Sequence, residues 1–239
     1  MTNRTVEDPT QPLFKYKEFV MSQPRSFLFT ALAALFCVAL VVSNIIAGKL
    51  WAAPLGLIFT TGVWLFPVVY IIGDVIPEVY GLAKARQVIM LGFVLNLVAV
   101  AFFYLCLYLP APVFWQGQEA FEVVLGFTAR LLLASFVGYL VGSNANAYVL
   151  VAMKKVTGPT KLWTRTIGST IVGESLDTLC FVTIAFAGTM PVNALFILMF
   201  SMAGFKILYE IVATPLTYLV INWVKKQENV DQPPPISSI

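Results

Sequence analysis

Residues 166–188 read TIGSTIVGESLDTLCFVTIAFAG, twenty-three residues without Lys or Arg and with two acids, Glu174 and Asp177, near the middle. A hydrocarbon core about 30 Å thick is crossed by about 20 residues rising 1.5 Å each, so the length fits one membrane-spanning helix. The acids are then the informative part. A charged side chain in hydrocarbon costs at least ~2.5–3.5 kcal/mol on insertion scales, and by default it marks a substrate or ion site.

Similar apolar runs occupy 26–47, 62–82, 88–109, 121–152 and 192–223, which makes six spans. Those at 121–152 and 192–223 exceed one crossing and must tilt, kink or project. Of 239 residues, 59% are hydrophobic and 11% charged, against roughly 25% charged in an ordinary soluble domain. That supply excludes a cytosolic enzyme, a secreted factor and a disordered chain. The first run is longer than a signal-peptide core and lacks a clean small-residue cleavage site, so it reads as a permanent helix. The expected organisation is an N-terminal tail at 1–25, a six-helix all-α transmembrane domain at 26–224, and a C-terminal tail at 225–239.

Twelve of the fifteen basic residues fall in four places. Arg4, Lys15, Lys17 and Arg25 are in the N-tail, and Lys84 and Arg86 follow the second span. Lys154, Lys155, Lys161 and Arg165 follow the fourth, and Lys225 and Lys226 are in the C-tail. Basic residues collect on the cytoplasmic side, so both termini are expected to be cytoplasmic. The same distribution accounts for these charges without a nucleic-acid partner.

Three bases (Lys49, Arg130, Lys206) and five acids (Asp74, Glu78, Glu174, Asp177, Glu210) remain inside the apolar region. Counted from the span ends, Asp74, Glu174, Asp177, Arg130 and Lys206 come to similar depths. Asp74 with Glu78, and Lys206 with Glu210, are spaced i, i+4, and Glu174 with Asp177 i, i+3, so each pair shares a helix face. Lys206 can satisfy Glu210 locally, and Arg130 can hold one acid. Even so, two negative charges are left over, to be protonated, solvated or neutralised by a bound cation. Glu78, nearest the cytoplasmic end, is read as solvated.

Polar side chains accompany the charges. Asn44 offers both donor and acceptor to a solute, Asn96 lies within the third span, and Ser169, Thr170 and Thr178 are expected mainly to bond helix backbone. Pro67 and Pro77 flank Asp74, and prolines interrupt helices where transporters bind. Trp64, Tyr70, Phe127, Tyr139 and Phe181 are the candidates to stack on a flat solute. With no His in the chain, the commonest metal ligand is missing. Cys37, Cys106 and Cys180 are far apart, with neither metal nor disulfide spacing. Walker, dinucleotide and Ser-His signatures are also absent. Neither an enzyme nor a cofactor or metal is expected.

The segments 43–49 (SNIIAGK), 73–81 (GDVIPEVYG), Ala129-Arg130 with Ala134-Ser135, 173–178 (GESLDT), and Phe205-Lys206 with Tyr209-Glu210 together resemble the queuosine precursor transporter family, also described as vitamin-uptake-transporter-like. The resemblance runs from about 27 to 224. It implies a multi-pass protein of the bacterial inner membrane with a fold similar to the substrate-binding subunits of energy-coupling-factor importers. It further implies uptake of 7-deazaguanines, namely 7-cyano-7-deazaguanine, 7-aminomethyl-7-deazaguanine or queuine, without a dedicated ATPase and with a homodimer as one arrangement. The alternatives are the substrate-binding subunit of an ATP-driven vitamin importer, docking through small residues at Ala39, Ser43 and Ala47, or a membrane-embedded enzyme.

The intramembrane residues suit such a solute. A guanine-like edge presents two adjacent N–H donors that one carboxylate, Asp177 or Glu174, accepts in bidentate fashion, while Arg130 or Lys206 meets the carbonyl oxygen. Trp64 or Phe181 stacks on the ring. The surplus acid suits a protonated aminomethyl group, Glu210 is a further binding candidate beside Lys206, and Asp74 or Glu78 is placed to carry a proton.

Overall fold

The computed structural model describes residues 26–157 and 162–228. The N-terminal tail, residues 229–239 and Lys161 lie outside them, while residues 225–227 of the expected C-terminal tail continue the last helix. Nine α-helices and β-strands follow in chain order, with short 3-10 turns at Pro54–Gly56 and Thr61–Leu65: α1 (Phe27–Ile46), β1 (Leu50–Ala52), β2 (Ile58–Thr60), α2 (Phe66–Tyr80), α3 (Leu82–Tyr108), α4 (Gln118–Leu125), α5 (Thr128–Thr157), α6 (Leu162–Phe186) and α7 (Val192–Gln227). Among the described residues, six helical segments are long and apolar enough to cross a membrane. The protein is therefore an all-α membrane protein apart from one short β-hairpin.

Ser26 starts α1 by accepting the backbone N–H of Phe29 at 2.9 Å, a normal N-cap. Pro67 lies in the first turn of α2, where its missing N–H costs nothing. It therefore begins the helix instead of kinking it. A loop at 83–87 is not found; Gly81 alone, at φ 85°, separates α2 from α3. Lys84, Arg86 and Gln87 are good helix formers, so charge there marks the membrane boundary while the helix runs through it. The fourth span is also different from expectation. Thr128 turns its hydroxyl back on the Leu125 carbonyl at 2.5 Å, and the helix breaks between α4 and α5 at Gly126 and Phe127.

The helices alternate in direction and define two faces. The hairpin face carries β1 and β2, paired Leu50 to Thr60, Trp51 to Phe59 and Ala52 to Ile58. On the opposite, terminal face, Ser26 and Tyr80 both donate to Glu228 Oε1, at 2.5 and 2.9 Å. This joins the start of α1 to the ends of α2 and α7.

Lipid tails are as apolar as leucine, so helices in a membrane are held by close packing and by polar contacts. Both are visible. Gly138 and Gly142 of α5 face α6 so closely that a Cβ on Gly142 would stand 2.7 Å from the Asp177 Cβ and 2.8 Å from the Gly173 carbonyl. Only glycine permits that approach. In the hairpin half, Phe59, Val63, Leu131, Ala134, Val182, Phe186, Leu198 and Met202 form one buried cluster linking hairpin, α5, α6 and α7. Two further clusters lie among α1, α2, α3 and α7. Among the described residues, neither contains one of α5 or α6.

Candidate functional site

The α2, α6 and α7 helices converge through pairs of residues one helical turn apart, forming two layers. In the upper layer Lys206 of α7 crosses to α6, bonding Asp177 Oδ2 and standing 3.2 Å from Glu174 Oε2. Tyr70 of α2 donates to that same Glu174 Oε2 at 2.9 Å. Lys206 is 7% exposed, and an ammonium so deeply placed needs such partners. Its Nζ also lies 5.5 Å from the Phe66 ring centre, within cation–π range.

One turn toward the terminal face, the same three helices present Asp74, Thr170 and Glu210. Glu210 is hydrogen-bonded to the Thr170 hydroxyl and lies in electrostatic range of both Glu174 and Asp74. Asp74 is solvent- or lipid-accessible and acts on Tyr209 as well. Among the described residues, the upper layer thus holds one base and two acids, the lower layer two acids and no base. The expected Lys206–Glu210 pair is not formed. Two carboxylates on the facing helix outcompete the one on its own helix.

Aromatic rings descend from the hairpin face to this cluster. Trp64 stacks on Trp51 at 5.7 Å and Trp51 on Phe59 at 5.6 Å; Phe59 meets Phe205 edge-on at 5.8 Å. Phe205 stacks with Tyr209 at 6.2 Å, and Tyr209 lies 6.1 Å from Tyr70. Trp64, 69% exposed, is the outermost ring of this series. It is one ring series removed from the carboxylates.

Four other candidates lie elsewhere. Asn44 donates to Asn96 Oδ1 at 3.1 Å and to the Thr128 carbonyl at 3.2 Å. Both asparagines are buried, and together they fasten α1 to α3 and α5. Arg130 does not pair with an acid. Its Nε and Nη2 donate to the carbonyls of Ile184 and Ala187, each at 2.6 Å, capping the end of α6 with positive charge. The break before Thr128 makes Arg130 the third residue of α5, so the depth counted from residue 121 places it too deep. Phe181 packs against the hairpin-half cluster, 6.2 Å from Phe186.

Glu78 is exposed on the terminal face, as its position near the span end suggests, and pairs there with Lys225 at 2.7 Å. The Ala39 and Ala47 positions are buried within the chain, so that stripe of small residues is already covered. A depression of about 530 Å³ beside the hairpin tip is lined by Leu55, Leu57, Phe196, Ile197 and Phe200. It contains no titratable group. Among the described residues no group of acids and cysteines is arranged to hold a metal ion.

Phe66, Phe205, Tyr209 and the Tyr70 hydroxyl were not singled out as polar or lining partners by sequence reasoning. The available signal was spacing: Tyr70 lies four residues before Asp74, and Phe205 and Tyr209 bracket Lys206.

Residues 60–220, which contain both layers, match the family model described as "Putative vitamin uptake transporter". The chain belongs to this family. It is also similar to a "Probable queuosine precursor transporter" of Bacillus subtilis (strain 168), 28% identical over 175 residues that cover 72% of this chain and 76% of the relative. The "Queuosine precursor transporter" of Escherichia coli (strain K12) is 28% identical over 167 residues, covering 70% and 73%. No solved structure matches the chain significantly. As a member of this family the protein is a multi-pass membrane transporter and not an enzyme.

Proposed function

We propose that the protein imports queuosine precursors, 7-deazaguanine bases such as 7-aminomethyl-7-deazaguanine, across the bacterial inner membrane. The observation that carries this reading is the convergence of Glu174, Asp177 and Lys206 beside the rings of Phe66, Phe205 and Tyr209 inside an otherwise apolar bundle. A carboxylate suits the adjacent N–H donors of a guanine-like edge, an ammonium suits its carbonyl oxygen, and the rings suit its faces. Asp74 and Glu210, without a basic partner among the described residues, suit a protonated aminomethyl group. Lys84, Arg86, Lys225 and Lys226 all belong to the terminal face, which supports placing that face and both termini in the cytoplasm. The expected similarity to energy-coupling-factor subunits belongs to the same reading. The burial of Ala39 and Ala47 favours a chain that works without docking a coupling subunit through that stripe.

The test is thermal stabilisation of the detergent-purified protein by 7-cyano- and 7-aminomethyl-7-deazaguanine, with guanine and riboflavin as controls, followed by uptake in proteoliposomes. A ligand at 100 times its Kd adds about 2.7 kcal/mol to stability. A shift specific to the deazaguanines, lost in Asp177→Asn, is expected. Equal response to riboflavin, or no response in folded protein, would remove the reading.

A further inference from the structure

We infer that Tyr70 and Asp177 are positioning residues that act through Glu174 and Lys206, and that Glu174 and Lys206 are the groups that touch the solute. This rests on the function proposed above and divides the site's residues by role. Glu174 has two oxygens. Oε2 receives both the Tyr70 hydroxyl, at 2.9 Å, and Lys206, at 3.2 Å. Oε1 has no hydrogen-bond partner among the described residues, and it is not among their buried unpaired atoms. The carboxylate is therefore clamped by one oxygen and left open at the other, with one acceptor available to an N–H donor edge.

Asp177 is arranged differently. Its Oδ2 bonds Lys206, and its Oδ1 lies against the backbone of α5, where a Cβ on Gly138 would stand 2.8 Å from it. Gly142 receives the Asp177 Cβ in the same way. Seated in this glycine groove, Asp177 has its charge directed at Lys206. Lys206 has three protons, and Asp177 and Glu174 account for two. The third is available to a solute acceptor beside the Phe66 ring. One donor and one acceptor, each fixed by a neighbour, match a solute edge that carries a carbonyl next to N–H groups.

Tyr70 differs from a wall residue in a testable way. A ring that only stacks on solute contributes independently of Glu174, whereas a hydroxyl that only orients Glu174 contributes nothing once that carboxylate is gone. The experiment is a double-mutant cycle on binding of 7-aminomethyl-7-deazaguanine to purified protein, read by intrinsic fluorescence, with Tyr70→Phe, Glu174→Gln and the double variant. Tyr70→Phe is expected to weaken binding about threefold to tenfold, with a fall in melting temperature no larger than the loss of one interhelical hydrogen bond gives. Glu174→Gln is expected to weaken it more, and the double variant to match Glu174→Gln alone. If Glu174→Gln does not fold, Glu174→Asp withdraws the carboxylate from Tyr70 and serves in its place.

Losses that multiply, or an unchanged affinity in Tyr70→Phe, would overturn the positioning role while leaving the proposed transport intact. Wild-type protein that binds no deazaguanine would overturn both. For Asp177, the parallel expectation is that Asp177→Asn adds no loss to Lys206→Met. An added loss would make Asp177 a direct contact.

Discussion

The hairpin half and the terminal half of the bundle hold the α5–α6 pair by different means. Near the hairpin, ten buried side chains from the end of α1, the hairpin, the turn before α2, and α5, α6 and α7 interdigitate, and Arg130 caps the end of α6 through two carbonyls. Toward the terminal face, the buried clusters among the described residues omit α5 and α6. There the pair meets α2 and α7 through polar groups: Tyr70 with Glu174, Lys206 with Glu174 and Asp177, and Thr170 with Glu210. Apolar interdigitation can be exchanged only for other packing. A hydrogen bond can be exchanged for one to a solute, so the contacts that close the site are of a kind a ligand can replace.

The largest effect is expected where the two halves meet. Lys206→Ala strands Glu174 and Asp177 side by side, and breaking a buried pair by removing one partner costs about 3–5 kcal/mol. Both uptake and the denaturation midpoint in detergent should fall. Arg130→Met strips two carbonyls of a charged donor, at about 2–3 kcal/mol in total. Because it lies in the packed half, the melting temperature should drop while the affinity of the remaining folded protein stays within twofold. Gly142→Ala forces a methyl against Asp177 and the Gly173 carbonyl, an overpacking cost of about 1–3 kcal/mol. Loss of affinity should accompany loss of stability, since the displaced residue is in the site.

The smallest stability change is expected from Thr170→Val, about 0.6 kcal/mol as for an average interhelical hydrogen bond in a membrane. Its effect should be seen in the solute affinity instead. If Thr170→Val destabilised the protein as much as Arg130→Met, the contrast between the halves would fail.

Six spans are legible in the sequence because lipid imposes length and composition on every crossing. Their ends are less so. Lys84 and Arg86 sit inside α3, since charge reports the membrane boundary and not the last hydrogen bond. The intramembrane charges are legible for the same reason as the spans, and Glu174, Asp177 and Lys206 do meet. Which partner each takes is not. Helical spacing relates Lys206 to Glu210 on its own helix, but it says nothing of the facing helix, where Gly138 and Gly142 bring Asp177 within reach. Arg130 shows how a local break misleads, because the Thr128 hydroxyl that ends α4 also resets the depth of everything counted from residue 121. Asn44 and Asn96 are chemically fit to read a solute; the structure gives their amides to each other and to the Thr128 carbonyl. Nothing in either residue's neighbours along the chain signals that distant pairing.

The bond from Ser26 to Glu228 makes the bundle a nearly closed ring, with the first and last helices of the membrane domain starting and ending side by side. A short polar linker from 228 to 26, with the chain reopened at the Gly81 turn, would give a circular permutant beginning at α3 and ending at α2. Every span would keep its direction, and both new ends would leave from the same face as the old ones. In such a permutant α6 and α7 are followed in the chain by α1 and α2, so all the helices that build the two layers lie in one continuous half of the polypeptide.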